Sequence, residues 1–249
     1  METNPFKSNL HTSTLSAQDI DQGLRNYMLG VYNNMALGVA LTAIASWLTF
    51  NLSFTTVGGR AVPTDIGQML FQSPMHWVLM LAPLAMVMVL SFGINRLAPS
   101  TARLLFFVYA AMFGVSLATI FVLYSGESIA RVFFITAAAF GGLSLYGYTT
   151  KRNLSAFGSF LFMGLIGILI AMLVNLFLQS SALQFVISVC GVLVFAGLTA
   201  YDTQKIKEMY LADDHPDVAG RKSVMGALML YLDFINLFLF LLHLFGRRE

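Results

Sequence analysis

The fold is decided by residues 231–243, which read YLDFINLFLFLLH. The stretch is almost wholly apolar, as expected of a helix that crosses a lipid bilayer. A carboxylate in the middle of such a helix costs at least about 2.5 kcal/mol unless it is neutralised, paired or hydrated. Asp233 therefore predicts a functional site inside the membrane, and the first question is which group its side chain contacts.

The composition of the whole chain is that of a membrane protein. Of its 249 residues 57% are hydrophobic and only 10% are charged, whereas a soluble domain is about 25% charged. Apolar stretches long enough to span a bilayer occur at residues 28–50, 76–95, 102–124, 129–150, 155–178, 182–203 and 224–245. We therefore predict an all-α membrane protein with seven transmembrane helices. The net charge of +2 is too small to indicate binding to nucleic acid.

The first 26 residues form a polar tail rich in Ser, Thr, Asn and Gln. They lack the short apolar region and the cleavage site of a secretory signal, and we expect residues 1–14 to be disordered. Ser16 and Asp19 resemble a capping box, which predicts a short interfacial helix that runs into the first apolar segment. The chain is thus divided into a tail, residues 1–26, and a seven-helix membrane domain, residues 27–249.

The positive charges predict how the chain is oriented in the membrane. Of the 14 Lys and Arg residues, four lie in segments on the side opposite the N-terminus, namely Arg60, Arg131, Arg247 and Arg248. The other ten lie on the side of the N-terminus. Because Lys and Arg are enriched in cytoplasmic segments, we predict a cytoplasmic N-terminus and a C-terminus on the far side.

The polar residues of the last segment lie on one face of the helix. At 100° per residue, one arc contains Lys222, Gly226, Met229, Asp233, Asn236, Phe240 and His243. A polar stripe in a helical bundle faces the interior or water. Taken alone, Asn236 is interpreted as an interhelical hydrogen-bonding residue, whereas Asp233 requires a partner.

The candidate partner is Asp202, near the end of the sixth segment. Two carboxyl groups in a medium of low dielectric constant cannot both ionise cheaply, so that a pair holds a proton near neutral pH and forms a proton-sensitive latch. The depths of the two residues disagree, because Asp233 lies about 14 Å into its segment. Contact therefore requires either that the sixth helix continues through Asp202 or that water enters. Arg96 is a candidate counter-charge, or else an anchor at the membrane surface.

Two further patterns are interpreted as structural. Residues 213–217, DDHPD, lack the glycine and the final glutamate of an EF-hand loop, which favours a solvated turn. Small residues at helical spacing let helix backbones approach one another, and we expect ordinary helix packing at Ala137 with Gly141, Ala138 with Gly142, and Gly30 with Gly38.

Several stretches resemble a known family. Residues 197–207, GLTAYDTQKIK, and residues 231–238, YLDFINLF, resemble the Bax inhibitor-1 family, also called the transmembrane Bax-inhibitor-motif family. Residues 140–147, FGGLSLYG, and 151–155, KRNLS, are similar to its bacterial, YccA-type branch. The resemblance covers roughly residues 20–245. It implies a location in the bacterial inner membrane, with a periplasmic C-terminus, and a fold in which the seventh helix is enclosed by the other six.

The resemblance also implies a function. In this family Asp202 and Asp233 would form a di-aspartyl proton sensor, associated with a pH-dependent leak of calcium and with no cofactor. The family has a basic residue near the pair, a position that corresponds to Arg96 or to the neighbouring Asn95. The bacterial branch is linked to a membrane-anchored AAA protease. The alternative function is therefore a regulator or substrate of such a protease, engaged through the polar tail, with no transport of its own.

Intramembrane proteolysis is the third class of function considered. Tyr201-Asp202 is similar to the first aspartate motif of presenilin-like enzymes, but their second motif requires Gly-x-Gly-Asp, and Leu232 directly precedes Asp233. Residues 142–145, GLSL, lack the second glycine of a rhomboid serine motif. We therefore predict that the protein is not an enzyme.

Overall fold

A computed structural model describes residues 17–58 and 60–247. Within these ranges seven helices are long and apolar enough to cross a membrane. They are α1 (Ala17–Ser53), α2 (Met75–Gly93), α3 (Pro99–Leu117), α4 (Gly126–Thr149), α5 (Ser155–Leu178), α6 (Ser181–Glu208) and α7 (Pro216–Phe245). The all-α membrane fold with seven spans is confirmed. The segment predicted to be disordered, residues 1–14, lies outside the described residues.

Short helical turns connect some of the spans. A turn at Asp65–Gly67 leads into a π-helical turn at Gln68–Gln72, a 3₁₀ turn at Ile94–Arg96 follows α2, and a short helix at Ile120–Leu123 follows α3.

The connection between α1 and α2 also carries a β-hairpin that the sequence analysis missed. Strand β1 (Phe54–Val57) pairs antiparallel with β2 (Arg60–Pro63), with Thr55 opposite Val62. The signal was present, because two glycines at positions 58 and 59 separate runs that contain β-branched residues, a pattern typical of a two-residue hairpin. Gly58 has a φ of 60°, which glycine adopts without strain.

Three helices extend beyond the apolar segments that predicted them. Helix α1 begins at Ala17 and runs unbroken to Ser53, so the expected interfacial helix and the first span are one helix. Helix α6 continues to Glu208, with basic residues in its last turn that complement the helix dipole. Helix α7 begins at Pro216 rather than near 224, because proline is favoured in the first turn. Hydropathy marks only the membrane-embedded part of each helix.

Helix α7 forms the centre of the bundle. In its most apolar window 72% of the residues are buried, compared with 11–33% for the other six spans. It packs principally on α1, α3, α4 and α6, whereas α2 packs on α3 and α5 packs on α6. The last helix is therefore the core of the domain, but its enclosure by all six other helices is not confirmed.

Tyr231 of α7 lies at the centre of this core. Its side chain is completely buried, with ring centroids 5.6 Å from Phe106 and 5.7 Å from Tyr109. Its hydroxyl lies 2.7 Å from Oγ1 of Thr42. The single Thr42 hydroxyl proton points to the carbonyl oxygens of Ala110 and Gly38, at 2.8 Å and 3.0 Å. Because a hydroxyl has one proton, Tyr231 is the donor to Thr42.

This direction of donation predicts unequal effects of two conservative substitutions. Thr42→Val leaves the buried Tyr231 hydroxyl without an acceptor and should lower the free energy of unfolding by about 1–3 kcal/mol. Tyr231→Phe leaves Thr42 bonded to both carbonyls and should cost about 0.5–1.5 kcal/mol. Thermal unfolding in detergent measures both, with Thr149→Val as a control on an exposed hydroxyl that bonds only within its own helix. Equal losses for the two variants would contradict the assignment.

The glycines singled out as packing positions fall into two groups. A Cβ atom at Gly30 would lie 3.2 Å from Oγ of Ser223, and one at Gly38 would lie 2.6 Å from the Phe106 ring. Close packing is therefore confirmed on α1. Around Gly141 and Gly142 of α4, none of the described residues lies within 4 Å of an added Cβ atom. The packing prediction is therefore wrong for Gly141 and Gly142, whereas Ala137 does pack against the core.

Three helices are also connected by a row of hydroxyl groups. The Tyr32 hydroxyl of α1 lies 2.6 Å from Oγ of Ser144 on α4. Ser144 Oγ lies 2.9 Å from Oγ1 of Thr203 on α6. Thr203 in turn donates to the carbonyl oxygen of Thr199 at 2.7 Å. The row ends one residue from Asp202.

Candidate functional site

The depth disagreement between Asp202 and Asp233 is resolved by the length of α6. The helix continues through Asp202 for six more residues, to Glu208. Asp202 therefore lies within a helix and about 9 Å from its end, rather than in a loop at the membrane surface. Continuation of the sixth helix through Asp202, the first of the two conditions for contact with Asp233, is therefore met.

The relative position of α6 and α7 is set by Lys222. Its ammonium group donates to the carbonyl oxygen of Met209 at 2.9 Å and to Oδ2 of Asp214 at 2.6 Å. Lys222 thus lies level with the end of α6. Measured from this level, Asp202 lies about 10 Å along α6 and Asp233 lies about 16 Å along α7. Two side chains can span the difference between these two heights.

The two carboxyl groups meet between these helices. The carboxyl groups of Asp202 and Asp233 are close enough to interact with each other. A hydrogen bond between two carboxyl groups requires a proton on one of them. Asp233 is only 4% exposed, and its Oδ2 atom is buried without a hydrogen-bond partner among the described residues. The arrangement is a carboxyl pair, half-buried at Asp202 and buried at Asp233, whose geometry depends on how many protons it holds.

The pair faces a cavity of about 800 Å³ between α2, α5, α6 and α7. Helix α7 contributes Met229, Asp233 and Asn236 to the wall of this cavity. This part of the polar stripe therefore faces the cavity, as predicted. Apart from Ser159, the walls from α2 and α5 are apolar, and they include Leu84 and Phe162, which are 58% and 59% exposed. The cavity therefore borders the outside of the bundle, where α2 and α5 face each other.

The basic residue that lines this cavity is Lys205, not Arg96. Lys205 is close enough to Asp202 to interact with its charge, and its ammonium group lies 5.9 Å from the centroid of the Tyr201 ring. Arg96 ends the 3₁₀ turn after α2, is exposed and does not line the cavity. Sequence reasoning missed Lys205, although its position three residues after Asp202 places both on one helix face.

Asn236 lines the cavity next to the pair, but its amide bonds within its own helix. Its Nδ2 atom donates to the carbonyl oxygen of Leu232 at 2.8 Å. The interhelical hydrogen bond expected of Asn236 is not formed by this group. The amide oxygen remains a polar atom beside the two carboxyl groups.

A second cavity, of about 260 Å³, lies on the opposite face of α7. It is lined by residues from α1, α4 and α7, among them Ser46, Phe133, Phe234 and Phe238. The Phe133 ring packs against Phe234 and Phe238, at centroid distances of 5.5 Å and 6.2 Å. Since the Asp233 cavity and this one face opposite sides of α7, the helix itself separates them.

The family is established by comparison with known proteins. Residues 24–249 match a family model described as inhibitor of apoptosis-promoting Bax1. The chain belongs to the Bax inhibitor-1 family. It is 46% identical over 238 residues to an uncharacterized protein of Rickettsia prowazekii, covering 96% of each chain. It is also 46% identical over 230 residues to the inner membrane protein YbhL of Escherichia coli K12, covering 91% of this chain and 94% of YbhL.

Membership of the Bax inhibitor-1 family confirms the resemblance seen in the sequence. Together with the seven spans, it identifies a multi-pass membrane protein with a relative in the inner membrane of Escherichia coli. A membrane protein of Streptococcus pyogenes is 36% identical over 230 residues, covering 92% of this chain and 96% of that protein. The orientation of the termini stays a prediction. So does the AAA protease partner, since residues 1–16 of the tail lie outside the described residues.

Proposed function

We propose that this member of the Bax inhibitor-1 family is a pH-sensitive calcium leak channel, in which the proton shared by Asp202 and Asp233 controls the path. The observation that supports this proposal most directly is the contact between the two carboxyl groups in a cavity between α6 and α7. A change in the number of bound protons changes the charge of the pair, and two ionised carboxylates in contact repel each other strongly at low dielectric constant.

The chemistry of the cavity is compatible with a hard cation. Carboxylate and amide oxygens are the ligands that calcium prefers, but a stable calcium site uses six to eight oxygens, more than the side chains of Asp202, Asp233 and Asn236 supply together. Asp202, Asp233 and Asn236 therefore suit a site that a cation passes through rather than one that stores it. Binding that is weak enough to release the ion is a requirement of conduction.

In this proposal the separation of the two cavities represents a closed state. An ion at the carboxyl pair is separated by α7 from the second cavity, whose wall includes the rings of Phe133, Phe234 and Phe238. Transit requires α7 to shift or rotate relative to α6. Separation of Asp202 from Asp233 would release one of the contacts that oppose such a movement. The protease-regulator function receives no comparable support from the described residues.

The test is calcium flux into proteoliposomes across about pH 5–8, the range in which a coupled carboxyl pair exchanges its shared proton. The wild type should show a pH-dependent flux. Asp202→Asn and Asp233→Asn each remove one titrating group, and either should flatten the profile while preserving the shape of the side chain. The control is Asp217→Asn, which removes an exposed acid from the start of α7 and should leave the profile unchanged.

Two results would count against the proposal. The first is an absence of flux at every pH from correctly folded wild-type protein. The second is a pH profile that survives unchanged in both Asp202→Asn and Asp233→Asn.

A further inference from the structure

A crevice on the outside of the bundle, away from the carboxyl pair, separates α1 from α4. It has a volume of about 580 Å³ and is lined almost entirely by apolar atoms. Met28, Phe140 and Ser144 form its buried floor, and the exposed side chains of Leu29 and Leu145 form its rim. Because both rim residues face outward from the bundle, the crevice opens sideways toward the hydrocarbon of the bilayer.

The depth of the crevice follows the two helices. On α1 its lining runs from Arg25 to Tyr32, and on α4 from Phe140 to Tyr148, which is about 10–12 Å along each helix axis. Tyr32 and Ser144 close the deeper part with their 2.6 Å hydrogen bond. Around Gly141 no described residue lies within 4 Å of the place where a side chain would begin. The helices are thus held apart over two turns of each, with space between them.

The mouth of the crevice is positively charged. The exposed guanidinium of Arg25 lies at the end of the lining nearest the N-terminus, and it forms no ion pair with the side chains that the structure describes, those of residues 22–58, 61–94 and 96–247. Tyr148 marks the same end on α4. The ammonium group of Lys207 donates to the Tyr148 carbonyl oxygen at 2.8 Å and lies 5.0 Å from the centroid of its ring. Two cations therefore border one end of an apolar space.

We propose that this crevice binds an anionic glycerophospholipid, with one acyl chain between α1 and α4 and the phosphate against Arg25. The apolar lining matches the chain, and the exposed guanidinium matches a phosphate, which it can bind through two hydrogen bonds. Basic pockets between transmembrane helices are a recognised means of binding anionic head groups. The proposal is independent of the calcium leak, because the crevice and the carboxyl pair have no lining residue in common.

Two adjacent glycines provide a matched pair of variants. Gly141 lines the crevice, whereas Gly142 does not, and an added Cβ atom meets none of the described residues at either position. Gly141→Leu should fill the crevice without disturbing the fold, and Gly142→Leu adds the same group to the next residue. Equal melting temperatures in lipid-free detergent would establish that both variants fold.

The experiment is native mass spectrometry of the full chain, titrated with phosphatidylglycerol or with phosphatidylcholine of identical acyl chains. The wild type should bind one phosphatidylglycerol at least about ten-fold more tightly than phosphatidylcholine, because the choline cation of the latter neutralises the phosphate charge that Arg25 would pair with. Gly141→Leu should lose this binding and Gly142→Leu should retain it. Arg25→Gln should reduce the ten-fold preference to near unity.

Three outcomes would overturn the proposal. Equal binding of the two lipids by the wild type would remove the role of Arg25. Equal binding of phosphatidylglycerol by Gly141→Leu and Gly142→Leu would show that the lipid binds at another site. Binding that appears only after deletion of residues 1–16 would mean that the polar tail, not a lipid, occupies the crevice.

Discussion

Gly147→Ala is expected to lower the stability of the protein by about 1–3 kcal/mol or more, the range found when atoms are forced into a packed interior. A Cβ atom at Gly147 would overlap the backbone carbonyl oxygen of Ala200. Both groups belong to the backbones of packed helices, α4 and α6, so no side chain can rotate away to make room. For a chain of this size the loss corresponds to a fall in melting temperature of about 2–12 °C.

The matched control is Gly142→Ala on the same helix. No described residue lies within 4 Å of an added Cβ atom at Gly142, and alanine is the better helix former by up to about 1 kcal/mol. This variant should therefore be neutral or slightly stabilising. If Gly147→Ala and Gly142→Ala had the same melting temperature, the close approach of α4 to α6 would not exist in solution. Since Ala200 precedes Asp202 by two residues, Gly147→Ala should also change the pH dependence of the proposed calcium flux.

Lys222→Met is expected to have the second large effect. The Lys222–Asp214 pair is only 24% and 13% exposed, and removal of one partner from a fully buried pair costs about 3–5 kcal/mol. Because some exposure remains, we expect about 2–3 kcal/mol for this pair. The variant also loses the hydrogen bond to the Met209 carbonyl oxygen, which holds α7 against the end of α6. Thermal unfolding in detergent measures the loss.

A second variant separates the two contributions of Lys222. Lys222→Met combined with Asp214→Asn removes the unpaired charge and should recover part of the lost stability, as a coupled pair does in a double-mutant cycle. Arg131→Met is the control, because the Arg131–Glu127 pair is 70% and 83% exposed and such pairs contribute less than about 1 kcal/mol. Losses that were simply additive in the double variant would show that Lys222 and Asp214 do not interact.

The seven spans and the polar stripe of α7 could be predicted from sequence for a definite physical reason. Bilayer thickness fixes the length of an apolar helix, and helical periodicity fixes which residues share a face. Both are local properties of the chain, and a single sequence contains them.

The contacts that complete the site could not be predicted in the same way. The height of Asp233 relative to Asp202 depends on Lys222 reaching back to Met209 and Asp214, which requires the path of the turn between the helices. The position of Arg96 at a membrane boundary is compatible with a counter-charge or with a surface anchor, whereas Lys205 is the basic residue at the cavity. Likewise, the spacing of Gly141 and Gly142 does not reveal whether a neighbouring helix is there to pack against.

The row of hydroxyls from α1 to α6 has a fixed polarity. Thr203 uses its only proton on the Thr199 carbonyl, so Ser144 must donate to Thr203, and Tyr32 must donate to Ser144. At the floor of the crevice Tyr32 therefore presents lone pairs but no proton. A lipid ester carbonyl, which is only an acceptor, finds no donor there unless all three hydroxyls rearrange. Donors to a head group are thus confined to the mouth, and a bound lipid has only one favourable orientation, with its polar end at Arg25.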